Sequence, residues 1–245
     1  MTETQLRNRA VIRLSPLDET EDVADFLQGL VTNDVQANLP CWAALLSAQG
    51  KVLFDFVVWG SERDLLLDCE AEHAAELAKR LSMYRLRRKI AIAPDPLLAV
   101  HWRAGDGASP DSRLAALGQR WLAPASDAAG TADHPWLRHR LALGVAEGRA
   151  ELGNGETLWL EANAVELNGV SFTKGCYVGQ ENTARMNWRQ KVNRRLLVVP
   201  LDRSDPQRQR RAYPDLGYAI DFLRVQEIAP DLRPEWLPAS AFESS

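Results

Sequence analysis

Hydrophobic and polar positions along the first hundred residues form patterns that predict strands paired in a sheet and helices packed on it. Residues 9–14 predict a short strand. The acidic run at 18–22 predicts the start of a helix, whose apolar residues then recur at spacings of three and four. Two apolar runs, 42–47 and 51–59, are separated by three residues and predict a hairpin.

The same patterns predict an α+β organisation. Residues 42–102 are expected to form a β-β-β-α-β-β unit, an α+β sheet subdomain inserted in a larger region that spans residues 1–200. Beyond residue 202 the sequence predicts regular secondary structure only at 216–228, and a Pro-interrupted tail follows it. We therefore expect residues 201–245 to form a reduced C-terminal lobe.

Composition bounds the class of protein. The chain has 46% apolar and 25% charged residues, which is ordinary for a globular protein. Its longest apolar runs fall far short of the ~20 residues of a membrane span, and residues 1–10 lack the apolar core of an export signal. These features predict a cytoplasmic protein with no membrane partner.

The formal net charge of −4 conceals a basic stretch between Arg185 and Arg211, which holds nine basic and two acidic residues. Such a stretch favours anionic partners, including phosphates, carboxylate tails and nucleic acid. A solvated, arginine-rich surface explains the same pattern without any partner.

Three cysteines, Cys41, Cys69 and Cys176, are too few and too widely spaced for a disulfide framework or a self-contained metal site. Cys41 and Cys69 lie in apolar, strand-like surroundings and are expected in the core. Cys176 lies in the stretch 170–181, where Gly175 and Gly179 flank a Cys-Tyr pair. Lys174 and the following helix start could stabilise a Cys176 thiolate; the alternative is a buried, inert cysteine.

Residues 174–181, with the sequence Lys-Gly-Cys-Tyr-Val-Gly-Gln-Glu, match the K-G-C-Y-x-G-Q-E signature of the YgfZ group of folate-binding proteins. That group includes mitochondrial iron–sulfur assembly factors. Three other stretches, 26–35, 49–55 and 84–89, resemble the same group, and the resemblance covers roughly residues 9–200.

The resemblance implies a T-protein-like folate-binding fold, with two α+β subdomains around a central opening and a shortened C-terminal β lobe. T-protein is the tetrahydrofolate-binding aminomethyltransferase of glycine cleavage. By this likeness, Glu181 contacts the pterin ring, Tyr177 stacks on it or closes the pocket, and Gln180 belongs to the same contact set. Arg185 reaches the folate carboxylates or orders the helix. Asp55 either lies near the reactive nitrogens of the folate or is a strand carboxylate paired with arginine.

The resemblance also implies a role for Cys176, at a position where T-protein usually has an acidic residue. Cys176, tuned by Lys174, becomes a transient iron–sulfur cluster ligand. Because such a cluster needs about four protein ligands, a partner has to supply the rest. The implied partner is an A-type iron–sulfur carrier protein.

Two other functions stay open at this stage. One is a tetrahydrofolate-dependent one-carbon transferase or demethylase, which would use Asp55. The other is a module for RNA binding or tRNA modification, which would use the basic stretch. That stretch lacks the interleaved aromatic residues of a base-stacking surface, since Trp188 stands alone among its arginines.

Overall fold

The computed structural model describes residues 4–126, 130–188 and 192–242. Within them the chain folds into three antiparallel sheets and five α-helices, which confirms the predicted α+β class. The strands are β1 Gln5–Leu6, β2 Arg9–Pro16, β3 Cys41–Leu46, β4 Val52–Ser61, β5 Asp64–Glu70, β6 Ile90–Pro94, β7 Leu98–Arg103, β8 Gln119–Pro124, β9 Arg194–Pro200, β10 Gln209–Tyr213 and β11 Tyr218–Arg224. The helices are α1 Val23–Gln28, α2 Ala74–Arg85, α3 Asp133–Ala142, α4 Arg149–Leu152 and α5 Gln180–Trp188.

The main sheet has the strand order β3-β4-β5-β2-β6. It differs from the unit expected over residues 42–102 in two ways: β2 lies between β5 and β6, and β7 pairs with β1 and β8 in a second sheet. In this position β2 is buried on both faces, with Val11 in one core and Ile12 and Leu14 in the other, and its backbone pairs with β5 on one side and with β6 on the other.

Residues 85–93 alternate charged and apolar side chains in a pattern typical of a strand, but only their second part forms one. Helix α2 continues to Arg85, Leu86 turns the chain with φ +49°, and β6 begins only at Ile90. The Arg85 guanidinium donates to the Ile90 carbonyl at 2.8 Å and so holds this turn. The start of α1 follows the sequence prediction, because the Asp22 carboxylate accepts hydrogen bonds from the Ala24 and Asp25 amides.

The two faces of the main sheet have different neighbours. On β4, Phe54, Phe56 and Val58 pack in the core with α1 and α2, whereas Val57 belongs to the core shared with the second sheet and α3. Asp55 alternates with the first set and therefore lies on the second face. A carboxylate thus lies in the layer between the two subdomains.

The third sheet, in the order β10-β11-β9, forms the C-terminal lobe. It begins at Arg194, before the predicted boundary at residue 201, because Leu197 and Val199 of β9 pack with Ala219 and Leu223 of β11 in one core. Among the described residues, every helix is too short or too polar to cross a bilayer.

Candidate functional site

Residues 174–177 form a tip whose two ends are buried and whose two middle residues are exposed. Lys174 and Tyr177 are each only 7% exposed, whereas the intervening Gly175 and Cys176 are exposed. The Lys174 ammonium lies 4.9 Å from the centroid of the Tyr177 ring, a cation–π contact across the base of the tip. The two buried side chains hold the Cys176 thiol at the surface.

Three backbone carbonyls surround the Lys174 ammonium. It donates to the carbonyl oxygens of Gln28 and Val31 at 2.5 Å each and to that of Asn33 at 3.1 Å. Gln28 is the last residue of α1, whose carbonyl end attracts a cation. The stretch 26–35 and the 174–181 motif, two of the segments that match the same family, therefore meet at Lys174.

The structure gives Lys174 a different role from the predicted tuning of Cys176. An ammonium has three protons to donate, and the three carbonyls take all of them. None is left for the Cys176 sulfur. Lys174 instead anchors the tip, and its burial lowers its pKa to about 8.

The Lys174→Met variant is expected to be less stable than the wild type by about 1–3 kcal/mol at neutral pH, because three carbonyls lose their shared donor. The free energy of unfolding also gains a specific pH dependence from this lysine. Its pKa is about 8 when folded, below the 10.5 of an unperturbed lysine, so the unfolded chain binds more protons between those values. The wild type should therefore gain stability relative to the variant as pH rises from 8 to 10.

Urea unfolding of both proteins at several pH values measures this difference. Lys79→Met, at an exposed position of α2, is the matched control for loss of one lysine. A wild-type advantage that falls between pH 8 and pH 10 would contradict the lowered pKa of Lys174, and equal stability of Lys174→Met and Lys79→Met at pH 7 would contradict its role as an anchor.

The downstream half of the motif packs against the β3–β4 hairpin. Gly179 has φ +83°, and a Cβ there would lie 2.5 Å from the Ser47 carbonyl oxygen. Gly50 faces it across the contact, and the Asn182 side-chain amide donates to the Gln49 carbonyl at 2.8 Å. The stretch 49–55 is thus the third matching segment that meets the motif.

Gly179→Ala should destabilise the protein by more than the ~1–3 kcal/mol that a positive φ costs a non-glycine residue, because the new methyl group also collides with a backbone oxygen. Gly217→Ala is the matched control, since Gly217 has φ +74° and no neighbour within 4 Å of the added Cβ. Thermal or urea unfolding of the two variants isolates the close approach. Equal losses of stability would show that the motif and hairpin are not in contact.

The remaining motif residues lie in different environments. Glu181 is at the surface, with its side chain 88% exposed, and it forms an ion pair with Arg185 at 3.0 Å. Gln180 begins α5, and its amide donates to the Tyr177 carbonyl. Tyr177 is buried and bonded to the Thr183 side chain, and burial raises its pKa to about 12. Of the predicted folate contacts, Glu181 and Arg185 are therefore accessible, whereas the Tyr177 ring is enclosed.

Asp55 lies apart from the motif, in the layer between the subdomains. It is 3% exposed; one oxygen accepts from the Trp42 indole nitrogen and the other from the Gly148 amide, both at 3.2 Å. Burial and the nearby Glu70 raise its pKa to about 6. Each Asp55 oxygen accepts one protein hydrogen bond and keeps a further lone pair, so the folate contact that the resemblance implies stays a prediction. The burial of Asp55 does not fit the alternative, an outward-facing strand carboxylate paired with arginine.

A buried charged network surrounds Asp55, and sequence reasoning did not identify it. Asp68 accepts from Arg9 Nε at 2.7 Å and from Arg120 Nε at 2.6 Å, while Arg113 pairs with Asp111 and Glu147. The sequence pattern that could have predicted this network is a charged residue inside an apolar strand, such as Asp68 in the run Leu-Leu-Leu-Asp-Cys. The network connects the main sheet to β8 and the loop before it.

The other two cysteines are core residues. Cys41 and Cys69 are buried, and burial raises the pKa of each thiol to about 12, which disfavours the thiolate needed for metal binding. Across residues 4–126, 130–188 and 192–242, no group of three or more His, Cys, Asp and Glu side chains is arranged to hold a metal ion. Cys176 is thus the accessible thiol of the described chain.

Comparison with known proteins gives consistent relatives. The iron–sulfur cluster assembly factor IBA57 of Homo sapiens, a mitochondrial protein, is 35% identical over 219 residues, which are 73% of this chain and 61% of that protein. The Neurospora crassa homolog is 28% identical over 279 residues, 97% of this chain and 62% of that protein. The chain therefore spans less than two thirds of the length of these relatives. No family model matches it.

Among solved structures, the glycine cleavage aminomethyltransferase T of Bartonella henselae has the same fold, with a TM-score of 0.65 over 90% of this chain and 77% of that one at 11% identity. The chain therefore has the T-protein-like fold. Its sequence relatives then identify the branch: the chain belongs to the YgfZ family, together with the iron–sulfur cluster assembly factors.

One sequence prediction is contradicted by these comparisons. The relatives are named as mitochondrial proteins, in conflict with the cytoplasmic location that was expected from the polar N-terminal residues. The composition of the first ten residues was an insufficient basis for that prediction.

Proposed function

We propose that this protein is an accessory factor for the assembly or repair of iron–sulfur clusters, and that Cys176 is its cluster ligand. One observation supports the proposal above the others: the motif buries Lys174 and Tyr177 and leaves the Cys176 thiol between them exposed. A thiol that only filled core space would lie like Cys41 and Cys69. The relatives carry the name of assembly factors, which agrees with this role.

The cluster is cargo that this chain shares with another protein. An iron–sulfur cluster takes about four protein ligands, whereas the described residues offer one accessible thiol and no group of three or more His, Cys, Asp and Glu side chains arranged to hold a metal ion. A partner with free cysteines has to complete the coordination. We propose an A-type iron–sulfur carrier as that partner, because a carrier presents cluster-bound cysteines at its own surface.

We also propose that tetrahydrofolate binds to the exposed Glu181–Arg185 pair alone. A carboxylate can accept two hydrogen bonds from a pterin, and a guanidinium can bind the folate carboxylates. Glu181→Gln should weaken tetrahydrofolate binding by about 1.5–3 kcal/mol, measured by calorimetric titration. Unchanged affinity in the variant would remove Glu181 from the site.

A folate-dependent transferase is the competing function. The shared fold with an aminomethyltransferase establishes architecture only, and Asp55, the residue that such an enzyme would use, is 3% exposed. Turnover of an aminomethyl donor with tetrahydrofolate would favour that alternative. Nucleic-acid binding rests on the basic stretch, and a steep salt dependence of tRNA binding would favour it.

The test in cells uses a strain that lacks its own assembly factor of this family. Expression of the chain is expected to restore the activity of [4Fe–4S] enzymes, measured in extracts against an enzyme without a cluster as the internal control. Failure to restore them, with the protein present and folded, would contradict the proposed function.

A further inference from the structure

A basic pocket lies on the C-terminal sheet, outside the motif. Its volume is about 530 Å³, within the range of small-ligand sites. Four arginines line it with one glutamate, although the chain as a whole is acidic. The lining residues are Arg194, Gln207, Arg208, Gln209, Arg210, Phe222, Arg224 and Glu227.

Two of these arginines face each other, and Arg194 interacts electrostatically with Glu161 without forming an ion pair with it. Arg194 of β9 and Arg224 of β11 are directly opposite in the antiparallel register, where side chains of like charge repel. Both are exposed, and within the described ranges neither guanidinium has a hydrogen bond or an ion pair. A bound anion between the two strands would relieve this repulsion.

The pocket has an aromatic side chain between two guanidinium groups. Arg194 and Arg210 lie 5.5 and 5.2 Å from the centroid of the Phe222 ring, respectively. Arg210 lies at an irregularity in the β10–β11 pairing, between the registered residues Gln209 and Arg211. The ring contacts restrain two flexible side chains, so less conformational freedom is lost when a ligand binds.

Carboxylates occupy the rim. Arg208 pairs with Glu227 and with Asp205, and Arg210 pairs with Glu156. These acidic groups would repel a long polyanion that continues past the pocket, such as a polynucleotide. They leave Arg194 and Arg224 available to a compact ligand.

We propose that this pocket binds a compact oligophosphate, a ligand with two or more adjacent phosphate groups. The planar guanidinium forks can each donate two hydrogen bonds to phosphate oxygens. Two adjacent phosphates can neutralise the opposed pair and reach Arg210, with the Gln207 and Gln209 amides as neutral donors. The site uses none of residues 171–181 and so is independent of the proposed cluster chemistry.

Calorimetric titration with pyrophosphate, on the full chain at physiological ionic strength, tests the proposal. Arg194→Gln and Arg224→Gln are each expected to weaken binding by about tenfold or more. Arg203→Gln is the matched control, because Arg203 pairs with Asp231 and does not line the pocket, and its affinity should equal that of the wild type. No binding of pyrophosphate, or equal affinity in all four proteins, would overturn the proposal.

Two further ligands distinguish a compact oligophosphate from other anionic ligands. Triglutamate offers carboxylates in place of phosphates, and a short single-stranded RNA offers phosphates on an extended backbone. Weaker binding of both than of pyrophosphate supports the proposal, and equal or tighter binding of either overturns it.

Unfolding curves provide an independent readout. Without ligand, the two glutamine variants should be at least as stable as the wild type, since each removes one of two repelling charges. Pyrophosphate should raise the thermal midpoint of the wild type and not that of the double variant. A loss of stability in both single variants without ligand would contradict the unpaired state of these arginines.

Discussion

Asp68→Asn is expected to lower the free energy of unfolding by about 3–5 kcal/mol, the usual cost of breaking a buried ion pair from one side. Asp68 is fully buried on β5 and bridges Arg9 of β2 and Arg120 of β8. The amide nitrogen of asparagine would face an arginine N–H, and both guanidiniums would lose the charge of their shared carboxylate. The main sheet would then be held less firmly to the second sheet.

Asp64→Asn is the matched control for this substitution. Asp64 begins the same strand and pairs with Arg13 at 2.6 Å, but both side chains are partly exposed. A pair of this kind contributes about 0–1 kcal/mol. Urea unfolding of the two variants at pH 7 makes the comparison, and equal losses of stability would show that burial of the network contributes nothing.

Cys176→Ser should leave stability within about 0.5 kcal/mol of the wild type, because the side chain is exposed and changes little in volume. The same variant should fail to restore [4Fe–4S] enzymes in cells, because a hydroxyl is a poor ligand for a cluster iron. The effect on function is thus complete while the effect on folding is negligible, a combination expected only of a residue that acts at the surface.

Cys69→Ala is the control for loss of a thiol. Its side chain is 3% exposed, so it should retain function at a small cost in stability. A Cys176→Ser protein that restores enzyme activity as well as Cys69→Ala does would remove Cys176 from the proposed function.

Local patterns predicted the local structure well. The hairpin of β3 and β4 and the helix capped by Asp22 follow from residues close in sequence, where periodicity and turn chemistry decide the outcome. The insertion of β2 between β5 and β6 depends on pairing with strands more than fifty residues away. Nothing in the local pattern of residues 9–16 distinguishes that position from an edge.

The site shows the same limit. The motif identified Cys176, and the structure places it at the surface. The spacing of Lys174 and Cys176 predicted two neighbours on one side of an extended segment, whereas the segment turns and buries Lys174 among carbonyls from residues 28–33. Burial of a charged side chain depends on tertiary contacts, which no spacing within the motif encodes.

Anaerobic cluster reconstitution with an A-type carrier tests the central claim most directly. The wild type and Cys176→Ser are each mixed with the carrier, iron and sulfide, and visible absorption is followed through size-exclusion chromatography. We expect a coloured complex of the two proteins with the wild type and none with the variant. A complex of equal colour and stability with Cys176→Ser would contradict the assignment of Cys176 as the ligand of a shared cluster.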